Sequence, residues 1–97
     1  KTIEGELRNQ HYREMAPVRN RLTDIEKETD RLTARLKEIE ALLADPEHYK
    51  DSQKVVEINR EYRDVKVNVD SLHAERDRLT AEAKRLRQEH EARLKNL

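Results

Sequence analysis

From Val18 onward the apolar positions recur at alternating intervals of four and three: Val18, Leu22, Ile25, Thr29, Leu32, Leu36, Ile39 and Leu43, seven of the eight apolar. This is the a/d rhythm of a coiled coil, and four heptads of it predict a long helix with one narrow apolar stripe. The rhythm resumes at Val55 and runs through Ile58, Tyr62, Val65, Val69, Leu72, Arg76, Leu79, Ala83 and Leu86, interrupted only at Arg76. Between the two runs lies the one dense cluster of helix breakers, Asp45-Pro46-Glu47-His48-Tyr49-Lys50-Asp51-Ser52. Asp45 is placed to cap a short helical turn opened by Pro46, and Asp51 or Ser52 to cap the helix beyond it. The pattern predicts an all-α chain in a single domain, 1–97, with a helix over about 2–44, a loop over about 45–51 and a helix over about 52–95.

A loop this short turns the second helix back antiparallel to the first, giving a coiled-coil hairpin. Matching the seam across it pairs 43 with 55, 39 with 58, 36 with 62, 32 with 65, 29 with 69, 25 with 72, 22 with 76 and 18 with 79. Extending the same register sets Met15 against Ala83, His11 against Leu86, Leu7 against His90 and Ile3 against Leu94. Arms of that size would be roughly 65 Å long at 1.5 Å per residue. Pro17 lacks a backbone donor and disfavours helical angles at Ala16, so a kink or break is expected there. Ahead of it Ile3, Leu7, His11 and Met15 fall four apart, so the seam drifts and this part should fray first. Arg76 can lay its stem along the seam and keep its head in water. Exposed acid and base pairs at helical spacing (Glu4/Arg8, Asp24/Lys27, Glu28/Arg31, Glu57/Arg60, Glu82/Arg85, Glu89/Arg93 and Glu91/Lys95) add a few tenths of a kcal/mol each.

Composition limits what such a chain can do. Of 97 residues, 43% are charged, against about 25% in ordinary domains, and only 34% are hydrophobic. So polar a chain buries little beyond a seam, which argues against a compact enzyme fold. One glycine rules out both a phosphate-cradling Gly-rich loop and a dinucleotide fingerprint. The many carboxylates have no cleft in which to shift their pKa. His11, His48, His73 and His90 lack metal-ligand spacing and there is no Cys to join them, so no cofactor or metal is expected in this chain. His11 and His90 read as half-buried, hydrogen-bonded imidazoles near the drifting seam. Tyr62 reads as core; Tyr12 and Tyr49 are rings that can stack on bases, with the packing of Tyr49 over the loop onto the last turn of the first helix, near Leu42 or Leu43, the favoured reading for that residue. The absence of Cys fits a reducing compartment, with the cytoplasm the expected location, and no apolar run suffices for a signal peptide or membrane span. The chain opens on Lys1 and is read as a piece of something longer.

Charge changes the picture more by its distribution than by its sum. The 21 bases balance 21 acids. Residues 1–23 nevertheless carry five bases and three acids, and 76–97 carry seven and four, so the hairpin would gather a net +5 at its base. Residues 24–75 hold nine bases and fourteen acids. Arg13, Arg19, Arg21, Arg78, Lys84, Arg85 and Arg87 are the candidate phosphate-meeting residues, since neutralising phosphates releases counterions. The competing reading is a solvated coiled-coil surface: a structural spacer or dimerisation element. A monomer is expected, with pairing between chains as the other arrangement.

Arg8-Asn9-Gln10-His11-Tyr12-Arg13-Glu14-Met15-Ala16-Pro17-Val18-Arg19-Asn20-Arg21-Leu22, then an acid-rich helix, then Leu42-Leu43-Ala44-Asp45-Pro46-Glu47-His48-Tyr49-Lys50-Asp51, resembles the C-terminal extension of ABC-F ATPases. The resemblance covers most of residues 8–80. It implies a coiled-coil accessory domain of a cytoplasmic protein with two ATPase cassettes, acting on ribosomes during translation, whose coiled coil in some members is associated with nucleic-acid binding, DNA or rRNA. ATP and Mg would belong to the parent's cassettes. Ala74-Glu75-Arg76-Asp77-Arg78-Leu79 departs from that family in lacking its frequent Trp. A second resemblance, Leu43-Ala44-Asp45-Pro46-Glu47 with Glu57-Ile58-Asn59-Arg60-Glu61-Tyr62, is to the helical N-terminal domain of peptide chain release factors; it leaves the Arg-rich stretch before Pro17 unexplained.

Overall fold

The structure, a computed structural model, describes residues 2–97. Two long helices, α1 (Thr2–Ala44) and α2 (Ser52–Lys95), are joined by a 3-10 turn, Pro46–Lys50, and pack against each other as an all-α helical hairpin. The helix ends follow from local chemistry. Pro46 forces the residue before it out of helical angles, and Asp45 is accordingly extended, at φ −91° and ψ 117°. From there its carboxylate accepts the Glu47 N–H at 3.0 Å, capping the 3-10 turn. Asp51 repeats the device, accepting the N–H groups of Gln53 at 3.1 Å and Lys54 at 3.2 Å to open α2, a cap of about 1 kcal/mol. Tyr49 reaches back as expected: its hydroxyl donates to the Leu43 carbonyl at 2.6 Å. Arg93 and Lys95 in the last turn of α2 complement the negative end of the helix dipole.

The chain divides into two compact units: residues up to Ile25 with Glu75–Leu97, and Glu26–Ala74. In the first, Val18, Ala83 and Leu86 form a buried cluster with Met15, Leu22 and Leu79 packed on it, and Ile25 is almost fully covered. In the second, Leu32, Val65 and Val69 are buried with Leu36 and Leu72 against them, and Ile39 has no exposed surface. Both clusters fall on the predicted seam. Thr29, the polar seam residue of the first run, buries its hydroxyl with no hydrogen-bond partner among the described residues.

Of the kink or break expected at Pro17, the break does not occur: α1 is helical on both sides of it. The proline removes one intrahelical bond, while Met15 and buried Val18 on either side are held in the seam, and this packing keeps the turn helical. The register placed His11 against Leu86 and His90 against Leu7, but the two imidazoles stack face to face, centroids 4.3 Å apart and planes within 10°. Nor is the pair fully hydrogen-bonded, since Nδ1 of His90 is buried without a partner among the described residues. Arg76 behaves as its length allows, with an exposed head turned to Asp77.

Candidate nucleic-acid interface

Within the first unit the charges sort by edge. Glu75, Glu82 and Glu89 are spaced seven apart, two turns each, and so line one edge of α2. Arg21 of α1 forks onto Glu75, with Nε and Nη2 each 2.7 Å from a carboxylate oxygen, which holds the Glu75 carboxyl below the usual carboxylate range. Arg85 donates to both Glu82 and Glu89, and these hydrogen bonds raise its own pKa. Arg93 approaches Glu89 at 3.8 Å and crosses to Glu14 of α1 at 3.3 Å. The second unit contains a comparable fork, Arg35 onto Glu61 at 2.6 and 2.7 Å and onto Glu38 at 2.9 Å, which lowers the Glu61 pKa and raises that of Arg35.

Away from that acidic edge, Arg8, His11, Tyr12, Met15 and Arg19 of α1, with His90 of α2, line a shallow groove of about 380 Å³. The Arg19 guanidinium lies over the Tyr12 ring, 5.0 Å from its centroid, and the ring is 65% exposed. Burial lowers the His11 pKa, chiefly by desolvation and then by neighbouring His90, with Arg87 and Arg93 acting the same way and Glu14 opposing them. The unfolded chain therefore binds more protons than the folded one just below the ordinary imidazole value of 6.5, so stability rises with pH across that window. Melting followed by circular dichroism is expected to show a lower Tm at pH 5.5 than at 7.5. His11→Asn should flatten the difference, and an unchanged slope in that variant would remove His11 as its source.

All seven sequence-predicted residues are exposed, but they are not equivalent. Arg21 and Arg85 are held by carboxylates, so their charge is answered inside the protein rather than offered outward. Arg19 is committed to the face of Tyr12. Arg13, Arg78, Lys84 and Arg87 make no ion pair among the described residues, although Arg78 contributes to lowering the Glu75 pKa. Lys84 and Arg87, three apart, are neighbours on α2; Arg78, six before Lys84, is turned roughly 240° around the helix from it. The four without an ion pair or ring contact, Arg13, Arg78, Lys84 and Arg87, are spread over both helices rather than gathered in one patch. Sequence reasoning missed Arg8, although Arg8, Tyr12, Met15 and Arg19 are separated by four, three and four, the spacing of one helix strip.

The described residues contain no group of three or more side chains able to hold a metal ion, and no described helix is long and apolar enough to cross a membrane. Comparison with known proteins returns no match: no family model, no curated protein and no solved structure matches this chain.

Proposed function

We propose that this chain is a nucleic-acid-binding or ribosome-binding accessory domain of an ABC-F ATPase, non-catalytic itself, with ATP and Mg bound by cassettes elsewhere in the parent chain. One observation carries the nucleic-acid reading. Glu75, Glu82 and Glu89 of α2 and Glu14 of α1 are drawn into ion pairs with Arg21, Arg85 and Arg93, which leaves Arg8, Arg13, Arg78, Lys84 and Arg87 exposed with no carboxylate partner among the described residues. The family reading rests on the resemblance of residues 8–80, now joined by the capped Asp45-Pro46 turn between two long helices. Function would consist of positioning: guanidinium and ammonium groups settle against backbone phosphates and release counterions, without reading base sequence.

Titrating labelled rRNA and DNA fragments at several salt concentrations tests this. The logarithm of the affinity is expected to fall linearly with the logarithm of the salt concentration, with a slope of about −0.7 per phosphate contact on single strands and about −0.9 on duplex. Binding that ignores salt, or is absent even at low salt, rejects the proposal; absence at low salt is what a structural spacer would give.

A further inference from the structure

The groove lined by Arg8, His11, Tyr12, Met15, Arg19 and His90 combines three properties that the paired surface lacks. Its cations meet no carboxylate: neither Arg8 nor Arg19 forms an ion pair among the described residues. It presents an aromatic ring that is 65% exposed where a buried role would hide it. Arg19 lies over one face of that ring, which places a cation beside the stacking surface. We infer that this groove is a single-stranded nucleic-acid subsite, in which one unpaired base stacks on or beside Tyr12 while Arg8 and Arg19 hold the flanking phosphates.

The inference deepens the proposed function and rests on it, adding a base-contacting position to a surface otherwise argued to touch only phosphate. The size fits. At about 380 Å³ the groove lies at the small end of ligand pockets, room for one nucleoside. The chemistry fits as well. Every base has a π face, so stacking on an aromatic ring tolerates any sequence, and arginine adds a cation–π component. An acidic peptide would satisfy Arg8 and Arg19 but leave Tyr12 without a stacking partner.

The test uses the whole chain and a short single-stranded oligonucleotide carrying 2-aminopurine, in RNA and DNA forms, beside two base-free polyanions, polyphosphate and poly-glutamate. With both oligonucleotides, binding should quench the 2-aminopurine fluorescence. Tyr12→Leu should abolish the quenching and weaken oligonucleotide binding about tenfold, and Tyr12→Phe should restore both. Affinity for the base-free polyanions should stay within about twofold in Tyr12→Leu, as electrostatic contacts alone would be unaltered. Because Tyr12 is exposed, Tyr12→Leu should melt like the parent. Salt-dependent oligonucleotide binding that is indifferent to Tyr12→Leu overturns the subsite and leaves the proposed function standing. An equal loss for the base-free polyanions also overturns it, and no binding of any oligonucleotide at low salt removes both.

Discussion

Replacing Ile39 by Asp should abolish cooperative folding of the unit formed by Glu26–Ala74, and Ile39→Ala should lower its Tm by roughly 10–20 °C. The buried apolar set of the described residues is small: Val18, Ile25, Leu32, Ile39, Val65, Val69, Ala83 and Leu86, and of these Ile25 and Ile39 are the large side chains with almost no exposure. A protein of this size is stable by only about 5–15 kcal/mol. Truncating a fully buried isoleucine costs about 2–5 kcal/mol, because the transfer term and the unfilled cavity add. An aspartate there must either leave its charge unpaired in the seam or draw it into water by parting the helices, so the penalty exceeds that of alanine. Val67→Asp is the control, since Val67 is 66% exposed on the same unit and should melt like the parent. Circular dichroism melts at low micromolar concentration, with light scattering to confirm that each variant keeps its association state, provide the readout. An Ile39→Ala variant melting within about 2 °C of the parent would show that the seam does not carry the fold.

That seam was legible in the sequence because a 3.5-residue apolar repeat has one physical solution in a chain with so few other apolar residues. Leu32, Val65, Val69 and Ile39 were placed by spacing alone, and the buried clusters confirm them. The turn was legible for a different reason: Asp45 before Pro46, and Asp51 before α2, leave the backbone little choice, and both carboxylates cap as expected. At Pro17 the helix does not break, because a missing donor is a local cost, whereas Val18 and Met15 packed with Ala83 and Leu86 supply a tertiary gain that local rules do not contain. The candidate interface was the least legible part. Counting charges found the excess of cations but not which were free. Whether Arg21 faces solvent or Glu75 depends on which edge of each helix meets the other, a three-dimensional fact. Glu28–Arg31, Glu82–Arg85 and Glu89–Arg93 were visible at helical spacing and do form. The cross-helix forks Arg21–Glu75 and Arg35–Glu61 flank the seam and needed its register before they could be read. The His11–His90 stack lay beyond that register, where the four-residue spacing of Ile3, Leu7, His11 and Met15 drifts off the heptad.

Reversing the unpaired cations of α2 should have the largest functional effect. The triple variant Arg78→Glu, Lys84→Glu, Arg87→Glu is expected to lose at least about a hundredfold in affinity for labelled rRNA or DNA at low salt, and to reduce the salt slope by about two to three. The choice of residues follows from the ion-pair pattern. Arg85 carries the same charge and sits on the same stretch, but it bridges Glu82 and Glu89, so its reversal would set three acids together and destabilise α2 for reasons unrelated to a ligand. Arg78, Lys84 and Arg87 form no ion pair among the described residues, so changing them breaks none, and a neutral variant separates the charge effect of Arg78 on Glu75 from loss at the surface. The neutral counterpart Arg78→Gln, Lys84→Gln, Arg87→Gln separates lost attraction from added repulsion: it should fall between parent and reversal in affinity while showing a similar reduction in slope. Circular dichroism melts of the neutral triple variant should stay close to the parent, while the reversal adds like charges beside Glu75, Glu82 and Glu91 and should melt slightly lower. Arg85→Gln supplies the opposite control, with a lower Tm from the broken pairs and a smaller change in binding. If the reversal leaves affinity and slope unchanged, the exposed cations of the first unit are a solvated helix surface, and the chain's contribution to its parent is that of a spacer.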